Sequence, residues 1–426
     1  MTTAIAQPDS RRRLLVLGVA PRAPEADGEV AAYYAELRRL ADSAHADIAE
    51  VRVQIRRRPD PVTYVGPGFA DAARERIVAL ADGPEAIDGV LLAQEVAPRA
   101  LRGLAERLPV AVEDRTRLIL GIFAERARSA EGRLQVELAR LAYELPRLAG
   151  GRQGLSRQGG GIGMRGGAGE SALELDRRQV RRRIGELRQE LEALRKERTE
   201  RLEGRTNLPR VALAGYTNAG KTTLLGALAR RDEGGRNRLF DTLDPTTRAI
   251  RHRAFGEALL TDTVGFVREL PPGLLDAFEA TLAEVREADV LLHVVDASGP
   301  GARGEYEAVR TILERIGAGA VPEILVASHA RAAGRRGLSA LDVPAVAVDS
   351  PSGEGLDELC ERIGEVLSAG REEVVLELPA DRWDLVAFAR ARGPVDLLQR
   401  ESGGVRLRAR LGAADAARLR RSLGRG

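Results

Sequence analysis

From Leu14 to about Phe123 the apolar residues alternate between two spacings. Leu14–Val19, Gly89–Leu92 and Val110–Val112 are short apolar runs of the kind buried strands show. Tyr33–Ala44, Phe69–Ala81 and Pro98–Leu108 instead repeat their apolar residues at helical spacing. Strands alternating with helices predict a small α/β domain over residues 1–125 with a largely parallel sheet.

The spacing then changes. Leu134, Leu138, Leu141, Leu145 and Leu148 step by 4, 3, 4 and 3, and Val180, Ile184, Leu187, Leu191 and Leu194 repeat those steps inside a helix predicted over 173–202. Two matched stripes predict a long antiparallel helical hairpin over residues 126–205, whose longer arm reaches on the order of 45 Å. Its connection, residues 150–169, holds ten glycines in twenty positions and three arginines, Arg152, Arg157 and Arg165, with no acid before Glu170. So much glycine loses too much backbone entropy on ordering to pack a core. A linker between two helices needs only a few residues, so the segment reads as a mobile basic tip suited to a phosphate-rich surface, with a plain flexible linker as the blander alternative.

Downstream, Val211–Ala214 forms another apolar run, and it leads straight into Gly215-Tyr216-Thr217-Asn218-Ala219-Gly220-Lys221-Thr222-Thr223 and a helical stretch to Arg231. Strand, GxxxxGK[ST] loop and helix in that order make a P-loop. Glycines let successive backbone N–H groups converge on a phosphate, and the helix N-terminus adds its partial positive charge. Lys221 supplies a compact charge for the β- and γ-phosphates, and the Thr222 hydroxyl is placed to bind Mg²⁺. A second run, Ala258–Asp262, ends in an acid within reach of the same metal and continues as Thr263-Val264-Gly265, where the Gly265 N–H can sense a γ-phosphate. Further runs at Leu291–Asp296, Glu323–Ala327 and Ala345–Val348 complete a doubly wound P-loop NTPase sheet over residues 206–370. His293 is expected as packing within that sheet. Residues 371–426 read as a small C-terminal α/β domain: strand 373–378, helix 383–391 and strand 404–411, with Trp383 expected in its core.

Composition narrows the function. Lys plus Arg number 66 against 63 Asp plus Glu, a net charge of +3, so the chain is no polycation and any nucleic-acid contact is local. At 426 residues, 44% hydrophobic and 30% charged, it is an ordinary globular chain of about three domains' length. Only two residues are lysines, Lys196 and Lys221, which singles out the one in the P-loop. Aromatic residues are 3%, too few for base stacking to dominate RNA binding, so such binding is expected to be electrostatic. A single cysteine, Cys360, excludes an internal disulfide and a Cys-rich zinc site and is expected as a buried thiol. No apolar run approaches the ~20 residues of a membrane span. Arg11-Arg12-Arg13 before Leu14–Val19 looks like the head of a signal peptide, but Pro21, Arg22 and Pro24 follow at once, so it reads as a first strand of a cytoplasmic protein.

Several segments together resemble the HflX family of translational GTPases, and the resemblance spans nearly the whole chain. They are Tyr64–Gly68, Glu113–Leu120, Arg126–Leu138, Ser156–Gly163, Gly215–Lys221, Phe240–Arg248 and Asp262–Phe266. The resemblance implies a GTP-binding protein that hydrolyses GTP with Mg²⁺, binds the large ribosomal subunit with its hairpin tip toward ribosomal RNA, and splits or rescues stalled ribosomes. It is expected to act as a cytoplasmic monomer. Carried over by position, Lys221, Asn218 and Gly265 are the catalytic candidates. Nucleotide contacts fall to Gly215 through Thr223, to Phe240, Asp241, Thr242, Leu243 and Asp244 as first switch, to Asp262, Thr263, Val264 and Gly265, and to Ser328, His329, Asp349 and Ser350. The metal candidates are Thr222, Thr242 and Asp262, with Thr246 and Thr247 as rivals of Thr242. Asn218 matches an asparagine that in related GTPases coordinates K⁺ beside the phosphates, which implies K⁺-stimulated turnover. Phe266 stands where Ras-like enzymes carry a water-orienting glutamine, and an apolar ring cannot orient water.

The chain departs from the family where the base is read. Ser328-His329-Ala330-Arg331 replaces NKxD, so the acid that accepts from guanine's N1–H and 2-amino group is missing, and the later SA-type loop reads Asp349-Ser350-Pro351-Ser352. These changes leave an alternative open: a relaxed-specificity ATP/GTP site, or a P-loop adaptor that binds ribosome or RNA without hydrolysis. Gly166-Gly167-Ala168-Gly169 stands where the family has a Gly-Pro-Gly turn.

Overall fold

The computed structural model describes residues 11–21, 28–148, 168–203, 208–230, 240, 245–268, 272–299, 301–369, 372–379, 382–390, 392–393, 395–401, 404–412, 416, 418–420 and 422. Two compact units result, Met1–Ala193 with Glu269–Ala277, and Leu194–Arg268 with Phe278–Gly426.

In the first unit, β1 (Arg12–Ala20), β2 (Ala46–Ile55), β3 (Gly89–Leu92) and β4 (Ala111–Asp114) form an all-parallel sheet in the order β2-β1-β3-β4. Leu15, Leu17 and Val19 of β1 point to one face, where Ala70, Ala73 and Ile77 of α2 (Pro67–Ala79) and Ala100 and Leu104 of α3 (Pro98–Ala105) bury them. On the other face Tyr34 of α1 (Gly28–Ser43) lies against Gly18, as the two-residue side-chain period of a strand requires. Two of these elements escape the apolar reading. β2 sits at the sheet edge and mixes Glu50, Arg52 and Gln54 among its valines; α4 (Arg115–Arg126) starts on the residue after β4 ends.

Asp114 joins this domain to the hairpin. It caps α4 by accepting from the Arg117 N–H at 3.0 Å, and it also accepts from the Val96 N–H at 3.2 Å, the Tyr143 hydroxyl at 2.8 Å and Arg147 at 3.1 Å. Tyr143 lies in α5 (Ala130–Glu144) and Arg147 in the 3₁₀ turn Leu145–Leu148 that follows. Next to it, Arg115 forms a fully buried ion pair with Glu36. The Glu113–Leu120 segment is thus a structural joint. α6 (Ala168–Glu203) is the long arm, and its Arg183 grips Glu137 of α5 through two hydrogen bonds, 2.9 and 3.1 Å. Ile184, Leu187 and Leu191 of the predicted stripe are buried. Residues 150–167 of the glycine-rich connection, with Arg152, Arg157 and Arg165, lie outside the described residues, and Ala168 and Gly169 open α6.

The second unit is built on a six-stranded sheet in the order β10-β9-β8-β5-β7-β6. The strands are β5 (Arg210–Gly215), β6 (Thr246–His252), β7 (Gly256–Asp262), β8 (Val290–Asp296), β9 (Glu323–Ser328) and β10 (Val346–Ala347). All pairings are parallel except that of the edge strand β6 with β7. Around it pack α7 (Lys221–Ala229), α9 (Glu279–Arg286), α10 (Ala302–Arg315), α11 (Ala330–Ala340) and α12 (Leu356–Ser368). α8 (Pro272–Ala277) belongs instead to the first unit, where it packs on α5. The C-terminal part is an antiparallel sheet, β11 (Glu372–Pro379), β13 (Gly404–Leu411) and β12 (Val395–Glu401), covered by α13 (Trp383–Arg390). Trp383 corrects the expectation placed on it: it opens α13 at 43% exposure, while Leu385, Val386 and Ala389 fill the core. Among the described residues no helix is long and apolar enough to cross a membrane.

Candidate functional site

β5 delivers the chain into the P-loop at Gly215, where any Cβ would collide with the Val294 carbonyl oxygen of β8, so only glycine permits the turn. Asn218 and Gly220 take left-handed backbone conformations, φ 66° and 89°, which curl the loop and start α7 at Lys221. Inside the loop, Lys221 is 6% exposed and its ammonium donates to the carbonyls of Gly215 at 3.2 Å and Tyr216 at 2.8 Å. Burial draws its pKa down to about 8, against the upward pull of Asp262 and Glu305. A lysine so held ties the start of the loop to the start of α7.

One helical residue on, Thr222 donates its hydroxyl to the fully buried Asp262 carboxylate at 2.7 Å. A hydroxyl and a carboxylate oxygen brought together beside a phosphate cradle are the hard donors Mg²⁺ takes, and Mg²⁺ usually completes its shell with water and phosphate. The residues present therefore fit that ion. No cluster of three His, Cys, Asp or Glu side chains competes for a metal among the described residues.

The stretch after β7 is sewn to the loop. Thr263 donates to the Leu213 carbonyl at 2.6 Å, Phe266 N–H to the Gly215 carbonyl at 3.1 Å, and Thr217 N–H to the Phe266 carbonyl at 2.7 Å. Gly265 then passes so close that a Cβ would stand 2.7 Å from Thr217 Cα and 3.1 Å from the Lys221 ammonium. Val264 is buried, and the Phe266 ring is 1% exposed. From the first switch, the Phe240 N–H donates to the Thr217 hydroxyl at 3.2 Å. Asp241, Thr242, Leu243 and Asp244 lie outside the described residues. Of the rivals for the metal, Thr246 stands opposite Asp262 in the β6–β7 register, and the Thr247 hydroxyl meets that of Thr261 at 3.0 Å. Thr223 follows in the first turn of α7, half-buried.

Among the expected base contacts, Ser328 donates its hydroxyl to the Ala219 carbonyl of the P-loop at 2.7 Å and lies 3.1 Å from the Val295 carbonyl. It ties the two loops together. His329, in a left-handed conformation with φ 52°, sets its Cε1 3.6 Å from where a Gly220 Cβ would be, and its Nδ1 meets Asp296 at 3.3 Å. Burial works to raise the Asp296 pKa, but hydrogen bonds from His329 and Ser298 outweigh it and hold the carboxyl at about 2. The same hydrogen bond raises His329 above the ordinary histidine value. Asp349 closes its own turn, accepting from the Ser352 hydroxyl at 2.6 Å, with Ser350 half-buried inside that turn. Arg331 faces Glu354 across the two loops at 3.6 Å. Neither Asp296 nor Glu354 is a site candidate in the sequence reading. Asp296 had a signal, since it ends its apolar strand as Asp262 ends β7.

Two other expectations concern packing. His293 is fully buried, bonded to Glu323 at 2.8 Å and stacked on Tyr306 at 5.1 Å, and burial lowers its pKa. Cys360 is a buried thiol pushed up to about 11 by burial.

Four family models cover the chain: GTP-binding GTPase N-terminal at residues 31–124, GTP-binding GTPase Middle Region at 126–205, 50S ribosome-binding GTPase at 210–329 and HflX C-terminal domain at 339–426. GTPase HflX of Alkalihalophilus pseudofirmus is 44% identical over 306 residues, 71% of either chain. GTPase HflX of Escherichia coli K12 is 38% identical over 392 residues, 90% of this chain and 91% of its relative. Among solved structures, a GTP-binding protein from Sulfolobus solfataricus in complex with GDP shares 23% identity at a TM-score of 0.41, over 83% of this chain and 98% of that one.

Proposed function

Because this chain belongs to the HflX family of GTPases and is a GTP hydrolase, we propose that it works as a cytoplasmic monomer on the large ribosomal subunit, splitting or rescuing stalled ribosomes. What carries the enzymatic half is a P-loop that holds Lys221 on its own carbonyls and brings Thr222 onto Asp262. The ribosomal half is supported by the match of residues 210–329 to the 50S ribosome-binding GTPase model and by the three arginines in the glycine-rich connection.

In this reading Lys221 exchanges its two loop carbonyls for β- and γ-phosphate oxygens, and the N–H groups of Gly220, Lys221 and Thr222 at the start of α7 complete the cradle. Thr222 and Asp262 would hold Mg²⁺, which would supply charge neutralisation for the nucleotide's phosphates. Gly265, pressed on Thr217 and Lys221, reports the γ-phosphate through its N–H. The buried Phe266 supplies no hydrogen bond to a water, so rate acceleration rests on positioning and charge. Asn218, exposed at the rim of the loop, is the K⁺ ligand.

The test is GTP turnover of the full chain with and without purified large subunits, beside Lys221→Ala. Stimulation by the subunits that the variant lacks supports the reading; turnover that ignores both the subunits and the variant overturns it.

A further inference from the structure

Around the base, the acids expected to read guanine are replaced or engaged. Arg331 occupies the first turn of α11, where the NKxD acid would stand, and pairs with Glu354 on the facing loop. Asp296 is taken up by His329 and Ser298, the latter donating both its N–H at 2.9 Å and its hydroxyl at 2.6 Å. Asp349 holds its own turn through Ser352. The described acids at this edge are therefore all engaged, and the group held nearest the missing acid's place is a guanidinium, which donates and never accepts. Ser328 meanwhile keeps the tether to Ala219, so the phosphate half of the site stays intact while its base half changes sign.

A purine's recognition edge is read by complementarity. Guanine presents donors at N1 and at its 2-amino group. Adenine presents an acceptor at N1, and xanthine carries a carbonyl acceptor in place of the 2-amino group. Guanine against Arg331 sets donors against donors, and unmet polar groups at a base site are what normally enforce its choice. We infer that Arg331 inverts the base-reading edge of this site, so that guanine loses its advantage and purines carrying an acceptor at position 1 or 2 compete with it on equal or better terms. This rests on the GTPase reading and deepens it: GTP is still held through its phosphates. Arg331 is 65% exposed and Glu354 71%, so water softens the preference and the edge discriminates weakly.

The experiment is displacement of fluorescent GDP from the full-length protein with Mg²⁺ by unlabelled GDP, ADP and xanthosine diphosphate, with Lys221→Ala marking the site. Expected is a wild-type spread within about tenfold, xanthosine diphosphate at least equal to GDP; Arg331→Asp, which restores an acceptor, then favours GDP over the xanthine nucleotide by about 100-fold. Arg331→Ala, which removes the donor fork without adding an acid, should weaken the xanthine and adenine nucleotides while leaving GDP unchanged. A wild-type preference for GDP over both competitors by about 100-fold or more overturns the inference and leaves the GTPase reading standing. Ratios unchanged in both variants overturn it too. Binding of no nucleotide at all overturns both readings.

Discussion

Lys221, Asn218 and His329 each carry a role on which a measurement can turn. Removing the Lys221 ammonium takes away the charge that shapes the loop, so Lys221→Ala should weaken GTP and GDP binding by about 100-fold or more, read by equilibrium titration. If Asn218 holds K⁺, turnover in KCl should exceed that in NaCl by about tenfold, and equal rates would remove that role from it. For His329 the sign follows from its partner: Asp296 raises its pKa, so the charged contact is complete below the ordinary histidine value and is lost as pH rises through the raised one. GDP affinity should therefore begin to fall as pH climbs past the ordinary histidine value of 6.5, ahead of the loss of the Lys221 charge at about 8, and His329→Lys should remove that first fall. At this scale the phosphate half of the site was legible, since GxxxxGK[ST] and an acid ending the next apolar strand fix it by chemistry. The base half was legible only as a departure. That Ser328 keeps the tether to Ala219 and that Asp296 and Glu354 engage His329 and Arg331 depend on contacts between strands distant in sequence.

Elements were legible where both faces are buried. β1, β3, β5, β8 and β9 announce themselves as apolar runs because helices cover each side of their sheets. β2 and β6 do not, because both lie at sheet edges, and β6 reads Thr-Thr-Arg-Ala-Ile-Arg-His, a strand only by virtue of its pairing with β7. β12, third strand of the C-terminal sheet, was likewise set by its partner β13. The hairpin stripe is legible at Ile184, Leu187 and Leu191, but the joint that roots α5 is not, since Asp114 gathers Val96 from one segment and Tyr143 and Arg147 from another. Asp114→Ala leaves Arg147 without its buried counter-charge and should cost about 3 kcal/mol in chemical unfolding; Tyr143→Phe, which removes one hydrogen bond, should cost about 1 kcal/mol. A loss for Asp114→Ala no larger than that of Tyr143→Phe would show that the joint is a lone cap.

For the whole molecule, the functional claim joins a nucleotide switch to a basic tip far along the chain. Replacing Arg152, Arg157 and Arg165 together should weaken binding to large subunits, and more so at low salt, while leaving GDP affinity unchanged; undiminished subunit binding would remove the tip from the account. Family membership and the composed P-loop agree on GTP hydrolysis, and the proposed function couples that hydrolysis to the large ribosomal subunit. The most direct measurement is steady-state GTP turnover by the full chain, alone and with purified large subunits, with Lys221→Ala in parallel. The account predicts slow turnover alone, a rise of about tenfold or more with subunits, and neither in the variant. A rate that subunits leave unchanged, or one that Lys221→Ala retains, would contradict it.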